Sequence, residues 1–87
     1  MEMKYTLQID ENELDFVASL NQKDQDLIHA KLDLLECGNF LGDKALKGKH
    51  KGKFRKRAGN YRIIYTRQDS LLIVVVININ NRKDVYK

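Results

Sequence analysis

One stretch of the chain, from Lys53 to Thr66, constrains the fold more than any other. It contains Gly59-Asn60, two residues that tolerate a positive φ, between segments that are rich in β-forming residues. Such a pair predicts a two-residue turn that joins two antiparallel strands. The turn then sets the register, in which the facing pairs are Ala58–Tyr61, Arg57–Arg62, Lys56–Ile63, Arg55–Ile64 and Phe54–Tyr65.

Because side chains alternate across a strand, this register divides the hairpin into two faces. The apolar face carries Phe54, Ala58, Tyr61, Ile63 and Tyr65, and we expect both tyrosines to lie in the core. Lys56 also falls on this face, and we expect it to lie at an edge with its ammonium extended into solvent. The second face carries four cations, Lys53, Arg55, Arg57 and Arg62.

The four cations on one face indicate an anionic partner. Like charges that face each other destabilise a sheet, and a face that served only solubility would also include carboxylates. A concentrated, arginine-rich surface suits phosphate groups. The alternative interpretation is a basic face that is simply solvated.

The charge of the whole chain is divided in the same way. Residues 1–43 hold ten acidic side chains against three lysines, a net charge of −7, whereas residues 44–87 hold thirteen lysines and arginines against two aspartates, a net charge of +11. A split of this size predicts a dipolar molecule with one surface for an anionic partner, and nucleic acid is the default candidate.

The hydrophobic pattern predicts one α+β domain that spans residues 1–87, with the element order β-α-α-β-β-β. Tyr5 to Ile9 alternates like a strand. Asp10 is the predicted N-cap of a first helix, with Glu13 at the capping-box position, and Asn21 is the predicted N-cap of a second helix that ends near Gly38. After the hairpin, Leu71 to Ile77 is a continuous apolar run, which predicts a central strand covered on both faces. We expect an N-terminal strand, an α-helical hairpin and then a three-stranded antiparallel sheet, with the two helices packed on one face of the sheet.

Residues 39–52 are predicted to form a loop that Leu46 pins to the core. Its lysines, among them Lys47, Lys49 and Lys51, could line a groove that follows a phosphate backbone. A flexible, solvated loop is an equally good interpretation.

Several classes of function receive no support from the sequence. No apolar run approaches the length of a membrane span, about 20 residues, and no signal core follows Met1. The lone Cys37, expected to be a small core residue, and the absence of other cysteines favour the cytoplasm. His29 is expected at the surface, and no metal pattern or cofactor-binding motif is present.

A series of short motifs runs from residue 46 to residue 86. It consists of Leu46-Lys47-Gly48, then Arg57-Ala58-Gly59-Asn60-Tyr61-Arg62-Ile63-Ile64-Tyr65, an aliphatic strand, and Asn80-Asn81-Arg82-Lys83-Asp84-Val85-Tyr86. In this order the motifs resemble the RelE/ParE toxin superfamily, whose usual string is Leu-x-Gly, Arg-x-Gly-Asp/Asn-Tyr-Arg-x-x-Tyr, a hydrophobic strand and Gly-His-Arg-x-x-Val-Tyr. One departure is Asn80-Asn81 in place of Gly-His. It removes the histidine that serves as proton donor in some branches and favours the RelE branch, whose site is entirely basic.

The resemblance implies a RelE-like fold and the toxin of a type II toxin–antitoxin pair. RelE-like members cleave mRNA, commonly in the A site of the 70S ribosome, without a metal or other cofactor, and an antitoxin encoded beside the toxin binds it. In this sequence Lys53 and Arg55 match the basic pair before the turn, and Arg82 and Tyr86 match the last motif. The arginines of the hairpin are matched by Arg57 and Arg62.

Metal-free cleavage of RNA requires the 2′-hydroxyl to attack the adjacent phosphate, which gives a 2′,3′-cyclic phosphate. Lys53, among cationic neighbours, is the candidate general base. Arg62 would brace the non-bridging oxygens, and Arg82 would stabilise the leaving oxygen. Tyr86 would stack on a base beside the cut, although a core position is nearly as good an interpretation. The candidate RNA-binding residues are Arg57, Lys47, Lys49, Lys51 and Lys83.

Two other functions stay open at this point. ParE-like members share the fold but inhibit DNA gyrase and lack the basic catalytic set, so the basic hairpin argues against them. A degenerate toxin that only binds nucleic acid would show salt-dependent binding without cleavage.

Overall fold

The computed structural model describes residues 4–81 of the chain, and the predictions for Arg82, Lys83 and Tyr86 therefore lie outside the described residues. The helices are α1 (Glu11–Ala18) and α2 (Gln22–Glu36), and two short 3₁₀ turns cover Gly48–His50 and Asp69–Leu71. The strands are β1 (Thr6–Ile9), β2 (Lys44–Ala45), β3 (Phe54–Ala58), β4 (Tyr61–Gln68) and β5 (Ile73–Asn81). The predicted α+β class is confirmed.

The five strands form one mixed sheet in the order β1-β5-β4-β3-β2. β1 pairs with β5 in parallel, and the other neighbouring strands are antiparallel. The predicted three-stranded antiparallel sheet is confirmed in β3, β4 and β5, whereas β2 and the parallel pairing of β1 with β5 were not predicted. The parallel pairing is possible because α1 and α2 separate β1 from the later strands. The chain that leaves this helical pair ends in β5, which runs in the same direction as β1.

The β3–β4 hairpin has the predicted register, with Ala58 opposite Tyr61 and Arg57 opposite Arg62. Of the two turn residues only Gly59 has a positive φ, at 62°. Its position is also crowded, since a Cβ atom at Gly59 would lie 2.6 Å from Cδ2 of Leu27 in α2. The turn thus depends on glycine both for its backbone conformation and for the close approach of α2.

We expect Gly59→Ala to destabilise the protein by about 1–2 kcal/mol through the positive φ, with a further loss because Leu27 must move. Gly42→Ala is the matched control: Gly42 has a φ of 82°, but its added Cβ would meet no described atom within 4 Å. Urea unfolding of both variants measures the difference. Equal losses would show that the contact with Leu27 is unimportant.

One face of the sheet packs on both helices to form the core. The helices contribute Val17, Ile28, Leu32 and Leu35, and the sheet contributes Ala58, Tyr61, Ile63, Tyr65, Val74, Val76 and Ile79. Both tyrosines of the hairpin are buried, as predicted. β5 lies inside the sheet, as expected. It was also expected to be covered on both faces, but Ile77 is 39% exposed on the face away from the helices.

The helix termini agree with the sequence in part. The Asn21 side chain accepts a hydrogen bond from the backbone N–H of Asp24 at 2.8 Å, so this N-cap is confirmed. Asp10 occupies the N-cap position of α1 without a side-chain cap. The predicted capping box is wrong, because Glu13 accepts a hydrogen bond from the backbone N–H of Ile79 at 2.7 Å and thereby ties α1 to β5.

Two further expectations were wrong. Residues 39–52 are more ordered than a loop, since they include β2, which extends the sheet beside β3, and the 3₁₀ turn at Gly48–His50. Cys37 is exposed and not buried. It is the C-cap of α2, so it lies past the end of the helix and outside the helix face that packs on the core. His29 is exposed, as expected.

Candidate active site

A cavity of about 350 Å³ lies on the face of the sheet opposite the helices. It brings together residues from the loop before β3, from β4 and from β5. Its lining combines two cations, an imidazole, two amides and three aliphatic side chains: Lys53, Arg62, His50, Asn78, Asn80, Leu46, Ile64 and Ile77.

The hairpin register places Arg62 at this cavity. Arg62 lies on β4 between Arg57 of β3 and Asn80 of β5, and its residue surface is only 7% exposed. Neighbouring strands thus hold its stem on both sides. A guanidinium held in this way offers a planar fork of donors for two oxygens of a phosphate group.

A β-bulge shapes the β5 side of the cavity. The register between β4 and β5 shifts after Ile64, so that Ile64 faces Asn78 while Tyr65 faces Val76. The extra residue is Ile77, and it lines the cavity together with Asn78. Bulges commonly redirect side chains beside functional sites. Here the bulge lets two consecutive residues of one strand contribute to the same cavity.

The β2–β3 loop folds back over the sheet and brings Lys53 to the cavity. Its ends are joined by a hydrogen bond from the Leu46 N–H to the Lys53 carbonyl at 2.9 Å. At its tip the His50 carbonyl accepts a hydrogen bond from the Lys53 N–H at 3.1 Å. Leu46 was expected to pin this loop to the core, but it lines the cavity on the opposite face of the sheet.

The four predicted cations of the hairpin do not form one cluster. Lys53 and Arg62 share the cavity, whereas Arg55 lines a neighbouring depression of about 250 Å³ with Lys44 and Lys47. Arg57 is exposed and lines a groove of about 250 Å³ between α2 and β3. The register placed Arg57 opposite Arg62 correctly, but it did not show that Arg55 and Arg57 line other depressions.

Three of the predicted RNA-binding lysines lie on the loop that also carries His50 and Lys53. Lys47, Lys49 and Lys51 are all exposed in the β2–β3 loop. His50, Asn78 and Asn80 were not predicted as site residues. The signal that could have identified His50 is its place three residues before Lys53, within a glycine-bounded segment that a hairpin must fold back.

The cavity is cationic. Among its described lining residues Lys53 and Arg62 carry positive charge, and none is a carboxylate. Asn80 donates a hydrogen bond from its side-chain amide to the amide oxygen of Asn78, and this bond holds both side chains on the β5 side of the cavity. Such a site can bind a phosphate group and stabilise additional negative charge on it.

A buried ion pair lies on the other face of β3. Lys56 is 4% exposed, and its Nζ lies 2.9 Å from Oδ1 of Asp43. The Tyr65 hydroxyl donates a hydrogen bond to Oδ2 of the same carboxylate. Burial and this hydrogen bond raise the pKa of Tyr65. The expectation that Lys56 extends into solvent was wrong, because Asp43 supplies a partner inside the protein.

Two absences concern the described residues only. Within residues 4–81 no group of histidine, cysteine, aspartate and glutamate side chains is arranged to hold a metal ion. Neither α1 nor α2 has the length and apolar character needed to cross a membrane.

Comparison with known proteins finds similar structures but no match by sequence. No family model matches the chain, and no curated protein matches it with significant sequence similarity. The chain superposes on the archaeal RelE–RelB complex from Pyrococcus horikoshii OT3 with a TM-score of 0.78 and 22% identity, covering 92% of this chain and 97% of that chain.

Two further solved structures agree. The isolated E. coli RelE toxin matches with a TM-score of 0.69 and 26% identity, over 94% of this chain and 90% of that chain. The YoeB/ParE toxin from Agrobacterium tumefaciens matches with a TM-score of 0.74 and 18% identity, over 87% of this chain and 96% of that chain. The common feature of these matches is the fold.

Proposed function

The chain has the RelE-like toxin fold, and from this premise we propose that it is the toxin of a type II toxin–antitoxin pair that cleaves mRNA without a metal, in the ribosomal A site. The observation that carries the proposal is the cavity that holds Lys53 and Arg62 with no carboxylate among its described lining residues. A cationic cavity of this kind is suited to a phosphodiester, and the exposed lysines of the β2–β3 loop are suited to the rest of an RNA backbone.

The proposed reaction is attack of a ribose 2′-oxygen on the adjacent phosphorus, which yields a 2′,3′-cyclic phosphate and a free 5′-hydroxyl. The phosphorus gains negative charge on its oxygens as the new bond forms. Arg62 stabilises this charge through its planar fork, and Lys53 is one candidate for the base that takes the 2′-hydroxyl proton.

The remaining roles come from the motif positions and form part of the proposal. Arg55, which lines the neighbouring depression, holds an adjacent phosphate. Arg82 stabilises the leaving oxygen, and Tyr86 stacks on a base next to the cut. The RNA backbone is followed by Arg57, Lys47, Lys49, Lys51 and Lys83.

An antitoxin is the proposed protein partner. The similar structures include a complex of an archaeal RelE with RelB and the E. coli RelBE toxin–antitoxin complex. A partner with acidic segments would complement the +11 charge of residues 44–87 and mask the basic face. Size-exclusion chromatography after co-expression with the neighbouring gene would give one shared peak, and separate peaks would contradict this partner.

Inducible expression in a bacterial host, followed by primer extension on total RNA, tests the proposed function. We expect growth arrest together with new cuts inside translated reading frames. Lys23→Ala, a change at an exposed residue of α2, is the control and should give the same cuts. Arrest with intact mRNA and an SOS response would instead indicate gyrase inhibition. No arrest at good expression would indicate a protein that only binds nucleic acid.

A further inference from the structure

One titratable side chain of the cavity has no role in the reaction as described so far. His50 lines the same cavity as Lys53 and Arg62 and comes from the 3₁₀ turn of the β2–β3 loop. It is exposed, so an RNA that entered the cavity could contact its imidazole.

The backbone holds His50 beside Lys53. The His50 N–H donates a hydrogen bond to the Lys47 carbonyl at 3.3 Å, and its carbonyl accepts one from the Lys53 N–H at 3.1 Å. The loop is closed below by the bond between Leu46 and Lys53. The loop thus brings His50 and Lys53 to the same cavity that Arg62 of β4 lines.

The other lining groups leave the role of base to the imidazole. Among residues 4–81, the charged groups that line the cavity are Lys53 from the loop end and Arg62 from β4, and β5 contributes the amides of Asn78 and Asn80. Ammonium and guanidinium groups only donate hydrogen bonds. An imidazole can accept a proton near neutral pH, because the unperturbed pKa of histidine is about 6.5.

We propose that His50 is the general base of the cleavage reaction, an inference that rests on the proposed ribonuclease function. The 2′-oxygen forms a bond to phosphorus and its proton passes to the His50 imidazole. The bond between phosphorus and the 5′-oxygen breaks, and the 5′-oxygen takes a proton from the Lys53 ammonium, so Lys53 acts as the acid here and His50 replaces it as the base. Solvent then removes the proton from His50 and returns one to Lys53, so no proton is gained or lost overall.

Single-turnover cleavage of ribosome-bound mRNA by the purified protein, from about pH 5 to about pH 9, tests the assignment. In the wild type the rate should fall toward acid pH, because a protonated imidazole cannot accept the 2′-hydroxyl proton. His50→Gln should lower the rate by about 100-fold or more and remove this acid limb. Imidazole added to His50→Ala should restore part of the lost rate.

His29→Gln is the matched control, since His29 is an exposed histidine on α2, which packs on the opposite face of the sheet. It should keep the rate and pH profile of the wild type. An inactive wild type would contradict the proposed function itself. A cleaving wild type with an unchanged His50→Gln variant would overturn only the role of His50. So would a slow His50→Gln variant that keeps the acid limb, together with no rescue by imidazole, because these results indicate a structural role.

Discussion

Arg62→Ala is expected to reduce mRNA cleavage by at least about 100-fold and to abolish growth inhibition. Removal of one group that stabilises developing negative charge in an active site commonly costs 100-fold to 1,000-fold in rate. Arg62 is held between β3 and β5, and no other arginine is among the described residues that line the cavity, so none of them can replace its fork. Single-turnover cleavage of ribosome-bound mRNA measures the effect.

Two controls separate chemistry from folding. Arg62→Lys keeps the charge and the buried stem but lacks the fork, and we expect it to recover only part of the activity. Lys23→Ala changes an exposed cation of α2 and should cleave like the wild type. Thermal unfolding shows whether each variant is folded at the assay temperature. A folded Arg62→Ala protein with full activity would refute the assignment of this cavity as the active site.

Asp43→Ala is expected to destabilise the protein by about 3–5 kcal/mol, because it leaves the ammonium of Lys56 buried without its carboxylate. The Tyr65 hydroxyl loses its acceptor at the same time. The free energy of unfolding of a typical domain is about 5–15 kcal/mol, so this single change removes a large part of its stability. Urea unfolding of the purified protein measures the loss.

A double-mutant cycle isolates the contribution of the pair. Lys56→Met removes the charge while keeping a long apolar side chain, and we expect Lys56→Met combined with Asp43→Ala to be more stable than Asp43→Ala alone. Asp33→Ala, at an exposed acidic residue of α2, is the control and should change stability little. If Asp43→Ala, like the control, lowers the free energy of unfolding by less than about 1 kcal/mol, the ion pair does not stabilise this fold.

The hairpin was predictable because its determinants are local. Gly59 and Asn60 fix the turn, and the period of two along each strand fixes which residues share a face. The boundary between α1 and α2 was predictable for a similar reason, since the Asn21 side chain caps α2 within its own first turn. Each of these features is determined by residues that are close together in the sequence.

The remaining features of the fold depend on residues that are distant in sequence. The parallel pairing of β1 with β5 joins residues such as Thr6 and Ile73, and no local pattern specifies that neighbour. The burial of Lys56 depends on Asp43, which lies thirteen residues earlier in a segment read as a loop. Glu13 also has a distant partner, the N–H of Ile79, so a local capping box was the wrong inference.

The same limit applies to the candidate site. The register placed Lys53 and Arg62 on one face, and both line the cavity. It also placed Arg57 opposite Arg62, as observed, but the register could not show which depressions the long side chains of Arg55 and Arg57 line. His50 enters the cavity through the fold of the β2–β3 loop, and the sequence signal for it was only its place three residues before Lys53.

The most direct test of the central claim is the chemistry of the cut. The purified protein is incubated with ribosomes that carry an mRNA in which one nucleotide, immediately before the mapped cleavage position, lacks its 2′-hydroxyl. We predict a 2′,3′-cyclic phosphate on the all-ribose mRNA and no cut at that position in the 2′-deoxy mRNA. Equal cleavage of both would contradict attack by the 2′-oxygen, and cleavage of neither would contradict the assignment of this protein as an mRNA-cleaving toxin.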